Sequence, residues 1–374
     1  MPRRKKEMIE PEGGSTWDIF STLAKEKDLE ILNFEDDVRY SQYIRTYLPI
    51  LDASLASGQG LPRGGLVELF GPESGGKSHF ALKIASSAQQ MYPNECVLYC
   101  DLEGSITESR TKEVGVNVSK ERFIVQENDY DAEKLISFLY KKVAPELSGK
   151  LSLVIVDSIA SLIPKDLYER DEEKRTTLIP AIMSKHMKGI KKAALMHNIC
   201  FLFVNQLREK PGMGGGPAKM SGYDPTYTPG GRAIRHAYDV RLMVRPVSKS
   251  NNGPIIKDGH QIGNYSLIKI SKNKIGSPIG EDRMPVYFES VSIADRVFWR
   301  GREHSFIETP NKKIISVRGD TYSFKEQSIE GEEEFKEAMI KEGFMLDIYE
   351  ELVKSNGTDS VSIAEVQNFL ISNK

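Results

Sequence analysis

The sequence predicts an α/β fold: a doubly wound, mostly parallel sheet, with an N-terminal helical segment and a small C-terminal α+β domain. Three observations carry that expectation. Between about residues 45 and 290, short runs of β-type apolar residues alternate with helical stretches, the pattern of successive βαβ units. The run at 66–70, "LVELF", passes through a glycine-rich turn directly into "FALKIA", which reads as helix. After about residue 305 the texture changes to a hairpin pattern followed by helical segments.

Taken in chain order, residues 1–15 form a polar tail ending in Gly13-Gly14 and are expected to be disordered. Ser15 and Thr16 then precede "WDIFSTLAKEKDLEIL", a capped helix whose stripe is Trp17, Ile19, Phe20 and Leu23. Strands are expected at 66–70, 97–100, 151–156, 199–204, 240–244 and 266–271. The segment 207–236, "LREKPGMGGGPAKMSGYDPTYTPGGRAIRH", is long, Gly/Pro-rich and without hydrophobic period, so no packed element is expected in it. Farther on, "KKIISVRGDTYSF" reads as a hairpin or edge strands, with helices in "EEEFKEAMIKEGFMLDIYEELVK" and "VSIAEVQNFLISN". The domains expected are therefore 1–45, 46–300 and 301–374, with no internal repeat.

The 374 residues suffice for a substantial core, and the formal charge of −2 excludes a global polycation. Nucleic-acid binding would need a local basic surface. Cys96, Cys100 and Cys200 lie within apolar runs without metal-ligand spacing, the pattern of reduced, buried thiols in a cytosolic protein. No apolar run reaches the length of a membrane span, so no membrane partner is expected. The opening "MPRRKKEMIEPEGG" lacks the apolar stretch of a signal peptide, and its "RRKK" reads as a solvated tail before a nuclear address. The location expected is the cytoplasm, bacterial or that of a host.

Between the first strand and its helix lies Gly71-Pro72-Glu73-Ser74-Gly75-Gly76-Lys77-Ser78, which fits G-x-x-x-x-G-K-[ST]. Glycines let the backbone turn its amides toward phosphate oxygens, and the following helix aims its positive end at the same place. Lys77 would meet the β- and γ-phosphates of a nucleoside triphosphate, and the Ser78 hydroxyl would ligate Mg²⁺. In open α/β sheets ligands sit at the carboxyl ends of strands. Here those ends carry Asp101-Leu102-Glu103, Asp157-Ser158, Asn205-Gln206 and Lys272-Asn273-Lys274. Each has a plain alternative as a turn former. Together they fit ATP hydrolysis: Asp157 holds Mg²⁺, Glu103 deprotonates the attacking water, and Gln206 senses the γ-phosphate.

These motifs resemble the RecA-type homologous recombinases over about residues 45–350. The matches are 71–78, "DLEG" at 101–104, "LVIVDSIASLIPK" at 153–165, "FVNQLR" at 203–208, "PGGRAIRHAYDVRLMV" at 229–244 and "IKISKNKIGSP" at 268–278. The resemblance implies ATP bound between neighbouring subunits of a helical filament on single-stranded DNA, which tests duplex DNA for homology and exchanges strands in recombination and repair. It makes Glu103 the catalytic glutamate and Gln206 the γ-phosphate sensor. Lys272 and Lys274 become a pair reaching the adjacent subunit's ATP; otherwise they are two exposed lysines after a strand. The segment 207–236 becomes the second DNA-binding loop, against the alternative of a mobile lid. There Arg208, Lys210, Lys219, Arg232 and Arg235 would seek phosphates, Tyr223 and Tyr227 would stack on bases, and Gly230-Gly231 would admit close backbone approach. Residues 16–30 would pack on a neighbouring subunit or, equally, on their own core.

Some positions depart from the family pattern. Arg110 stands where the adenine-stacking tyrosine is usual; a guanidinium plane also stacks, which leaves base selectivity open. His79 replaces a second hydroxyl residue and would either pack or donate to the α-phosphate. The first DNA loop is expected near 166–177, "DLYERDEEKRTT", whose alternative is a solvated helix face. The departures mark a divergent member, with cellular and bacteriophage origins both open. Two rival readings stand beside the recombinase. One is a hexameric DNA helicase or recombination mediator ATPase on the same core; the other is a slow nucleotide-switched binding protein.

Overall fold

The structure is a computed structural model and describes residues 22, 40–55, 58–127, 131–164, 172–209, 226–229, 231–257, 260–288, 292–303, 309, 311–355 and 363–372. By contact the chain divides into Met1–Arg39 and Tyr40–Lys374. In the first unit only Thr22 is described, as helix, so the stripe Trp17, Ile19, Phe20 and Leu23 lies outside the described residues.

The second unit opens with a small antiparallel pair, β1 (Tyr43–Ile44) with β2 (Leu61–Pro62), around helix α1 (Pro49–Ser54). The main elements follow in βα alternation: β3 (Leu66–Gly71), α2 (Lys77–Met91), β4 (Cys96–Asp101), α3 (Glu108–Glu113), β5 (Phe123–Glu127), α4 (Ala132–Phe138) and β6 (Leu151–Asp157). Then come α5 (Glu172–His197), β7 (Cys200–Gln206), the short ribbon β8 (Arg208–Glu209) with β9 (Thr226–Tyr227), α6 (Gly231–Ala237) and β10 (Val240–Pro246). Strands β11 (Pro254–Lys257), β12 (His260–Asn273) and β13 (Glu281–Tyr287) complete a nine-stranded sheet of order β11-β12-β10-β3-β7-β6-β4-β5, with β13 on β12. Every pairing from β10 to β5 is parallel; those of β12 are antiparallel.

Central strands β3, β4, β6 and β7 are almost wholly buried, because helices cover both faces of a parallel sheet. That is why they read as continuous apolar runs. The period of two sorts their side chains into two cores. Val67, Leu69, Val97, Tyr99, Leu153, Ile155, Leu202 and Val204 face α2 through Phe80, Ile84 and Ala88. Leu98, Cys100, Val154, Val156, Phe201 and Phe203 face α4 and α5 through Leu135, Met183, Met187 and Ile190. All six expected strands lie in this sheet. Edge strand β5 was not expected: only Phe123 of its five residues is buried, so its pattern carries little apolar signal.

The segment 207–236 requires a correction. Its last part is helix α6, which buries Ile234 and the following Tyr238 in the second core, the latter against Phe203 at 5.8 Å between ring centroids. One apolar pair four residues apart is too short a pattern to show as a period. A third core gathers α7 (Ile293–Glu303), the antiparallel β14 (Ser316–Arg318), β15 (Thr321–Phe324) and β16 (Gln327–Glu330), and helices α8 (Glu332–Lys341), α9 (Met345–Lys354) and α10 (Ile363–Ser372). Phe298, Tyr322 and Phe335 meet at its centre with centroids 5.5–6.0 Å apart. Helix α7 runs across position 300, where the sequence texture puts a boundary, and belongs with this core.

Candidate active site

The register of the parallel strands assembles the site. Gly71 at the end of β3 pairs with Gln206 at the end of β7, and Asp101 of β4 pairs with Asp157 of β6. At Gly71 and Gly75 the chain between β3 and α2 packs against β10 too closely for a side chain. A Cβ on Gly71 would lie 1.8 Å from the Val244 carbonyl oxygen, and one on Gly75 would lie 3.0 Å from that atom. Gly76, at the N-cap of α2, holds φ 91°, a left-handed value that glycine adopts without strain. No side chain caps this 15-residue helix, so its first amides are free to meet an anion. Lys77 is buried and donates from Nζ to the Pro72 carbonyl at 2.7 Å. Burial lowers its pKa, against the pull of Asp157, Glu103 and Glu73, so its ammonium already faces carboxylates.

Asp157 is 1% exposed and accepts a hydrogen bond from the Tyr99 hydroxyl at 2.7 Å and another from Ser78. Burial raises its pKa, Tyr99 and Ser78 oppose that, and Glu103 and Asp101 add to it. Asp101 has a structural task, accepting from the Ser105 and Ile106 amides at 3.2 and 3.1 Å and so holding the turn that carries Glu103. Glu103 itself is exposed, yet fixed. Its Oε1 accepts from the Ser158 hydroxyl, from the Ser161 hydroxyl at 3.0 Å and from Gln206 Nε2 at 3.0 Å. The residues expected to act as base and γ-phosphate sensor are therefore bonded to each other.

At the start of α2, His79 touches Arg110: Nη2 of the arginine lies 3.3 Å from its Nδ1. Nη1 of Arg110 donates to the Tyr287 carbonyl at 3.2 Å, and Arg296 lies 5.4 Å over the Tyr287 ring. Burial, with Lys83, Arg110 and Arg296 nearby, holds the His79 imidazole well below its usual pKa and therefore neutral at pH 7. Arg110 thus sits beside the phosphate loop with its guanidinium oriented by three partners, the third being the Glu113 carboxylate at 3.4 Å.

Lys272 and Lys274 converge on the end of α6. Lys272 Nζ donates to the Arg235 and His236 carbonyls at 2.7 and 3.0 Å, and Lys274 Nζ to the His236 carbonyl at 2.9 Å. They cap orphan carbonyls at the negative end of that helix. Of the residues expected to contact DNA, Lys210, Lys219, Tyr223 and Gly230 lie outside the described residues. Arg208, Tyr227, Gly231 and Arg232 are described only in backbone, the first two in the β8–β9 ribbon and the last two in α6. Arg235 is half-buried, its Nε without a partner and its charge facing Glu68. In the region expected to form the first DNA loop, 166–171 lie outside the described residues, and 172–177 are the first turns of α5, described in backbone alone.

Sequence reasoning missed Tyr99, Ser161, Glu68 and Arg241 and gave Asn205 and Ser158 no task. A tyrosine, a serine and a glutamate inside or just after otherwise apolar strands were the available signals, since buried polar groups need partners. Among the described residues no group of three or more His, Cys, Asp or Glu is placed to hold a metal alone. Ser78 and Asp157 supply hard oxygen donors, the partial set that suits Mg²⁺ completed by phosphate and water. No described helix is long and apolar enough to cross a membrane.

The family model described as the RecA N-terminal domain matches residues 32–292. The protein RecA of Mycoplasma genitalium is 33% identical over 317 residues, covering 83% of this chain and 84% of that protein. The protein RecA of Mycoplasma pneumoniae is 34% identical over 285 residues, 75% of either chain. That of Bacillus subtilis is 30% identical over 324 residues, 85% of this chain and 84% of its own.

Proposed function

The chain belongs to the RecA family, and from that premise we propose that it is a DNA-dependent ATPase that forms helical filaments on single-stranded DNA and catalyses homologous pairing and strand exchange in recombination and repair. The observation that carries this reading is the Gln206–Glu103 hydrogen bond of 3.0 Å at the strand ends beside the phosphate loop. It supports a site in which the base is restrained until the γ-phosphate arrives.

Lys77 exchanges the Pro72 carbonyl for the β- and γ-phosphate oxygens, a charge-assisted bond in place of a neutral acceptor. The uncapped amides of α2 take up phosphate charge. Ser78 and Asp157 would hold Mg²⁺, whose charge would offset that of the phosphates. Gln206 turns from Glu103 to the γ-phosphate and frees the carboxylate, which accepts a proton from the attacking water. His79, neutral, faces the α-phosphate side, and Arg110 stacks on the base. Lys272 and Lys274 reach a neighbouring subunit's phosphates, so that hydrolysis requires assembly. The basic residues of 207–236 contact single-stranded and then double-stranded DNA. ATP serves assembly and its hydrolysis release, in the cytoplasm of a bacterium or of a phage host.

The Glu103→Gln variant tests this directly. The amide keeps the size and the acceptor oxygen but not the basicity, so turnover should fall by about 10²–10⁴-fold with ATP binding retained. Wild-type turnover in that variant would remove Glu103 from its role.

A further inference from the structure

Beneath the loop feet lies a polar network, fully buried at its centre, that the catalytic reading does not use. Glu68 on β3 and Asn205 on β7 are each 0% exposed. Nδ2 of Asn205 donates to Glu68 Oε1 at 2.8 Å and to the Pro229 carbonyl at 3.0 Å, while its Oδ1 accepts from the Gln206 amide at 3.0 Å. Glu68 Oε2 accepts from Arg241 Nε. The same guanidinium lies 4.4 Å over the Phe70 ring, and its Nη2 reaches the Thr228 hydroxyl at 3.5 Å. Arg235 of α6 adds its charge to the field at Glu68. Both feet of the 207–236 segment, Gln206 on one side and Thr228-Pro229 on the other, thus hang on one buried carboxylate and one amide.

Stability alone does not account for this arrangement. A buried ion pair returns about what its desolvation costs, and well-packed apolar residues often serve a core equally well. What the network adds is linkage. The Asn205 amide spends its donor group on Glu68 and Pro229 and its oxygen on the Gln206 backbone. A rotation that follows a movement of Gln206 therefore breaks or remakes the bond to the far foot. We propose that Asn205 and Glu68 are positioning residues that transmit the state of Gln206 to the 207–236 segment. This rests on the reading of Gln206 as the γ-phosphate sensor and of the segment as a DNA-binding loop.

The test measures ATP turnover with and without oligo(dT), together with the oligo(dT) concentration giving half-maximal stimulation, in full-length wild-type, Asn205→Ser, Gln206→Ala and the double variant, each checked for folding by thermal melting. The expected result in Asn205→Ser is a ratio of stimulated to unstimulated turnover lowered by roughly tenfold, on the scale of coupling through such networks. Half-saturation should also move to higher oligo(dT). The double variant should then be no worse than Gln206→Ala, because one path is broken twice. A wild-type ratio in folded Asn205→Ser, or losses that multiply in the double variant, would overturn the proposal. If Asn205→Ser does not fold, Thr228→Val removes only a hydroxyl at the far foot; it should lower the ratio by about threefold, and an unchanged ratio there overturns the proposal too. A wild-type turnover indifferent to oligo(dT) is a separate result: it overturns the DNA-dependent reading, and this inference falls with it.

Discussion

Asp157 holds a carboxylate at 1% exposure, where an ionised group needs donors aimed at it. Tyr99 and Ser78 are those donors, and burial still leaves its pKa raised. Replacing Tyr99 by Phe removes one of them without changing the packing, at a cost of about 1–3 kcal/mol in the empty protein. The sign of the pH dependence follows. A carboxyl whose folded pKa lies above its unfolded value is a liability when ionised, and that liability fades as pH falls through the folded pKa. The Tyr99→Phe deficit in urea midpoint should therefore be largest at neutral pH and shrink in mild acid; an unchanged midpoint at pH 7 would show that the hydroxyl contributes nothing. At this scale the grouping of Lys77, Ser78, Glu103 and Asp157 was legible, because residue type and motif spacing coincide there. Tyr99, Glu68 and Arg241 were not. Their roles arise from cross-strand register, which places β4 beside β6 and β10 beside β3 across long sequence separations.

Among the elements, the buried strands announced themselves because a sheet covered on both faces needs apolar residues at every position. Edge strand β5 and helix α6 did not, the one because it is largely exposed and the other because it offers only Ile234 and Tyr238 to a core. Helix α6 matters more than its length implies, since its last carbonyls hold Lys272 and Lys274. Lys272 has its pKa pushed down to about 8, first by burial and then by Lys274 and Arg241. Because the folded value lies below that of an unfolded lysine, raising the pH from about 8 toward 10 does not cost folding stability through this group. It does remove the charge that the proposed function assigns to a neighbour's phosphate. Self-assembly with a non-hydrolysable ATP analogue should weaken by up to about tenfold per pH unit above 8, with no matching loss of melting temperature from this residue. Sedimentation at pH 7 and pH 9 checks it: equal assembly at both would take Lys272 out of the subunit contact.

At the scale of the whole molecule, the family, the mostly parallel sheet and the polar residues at its strand ends were all legible in the sequence. The buried bonds that join Glu68, Asn205 and Arg241 beneath the site were not. A net charge of −2 gives DNA no long-range attraction to the chain as a whole. On the proposed function, binding would come from a local basic segment and from many subunits acting together, which would make it dependent on salt and on concentration. The central claim is that one site hydrolyses ATP only in an assembly organised by single-stranded DNA. The measurement that meets it most directly is ATP turnover of the full-length protein with and without single-stranded DNA, across protein concentration and salt. The account predicts strong stimulation that rises cooperatively with protein and collapses as salt is raised. Turnover per subunit that is the same with and without DNA at every concentration would contradict it.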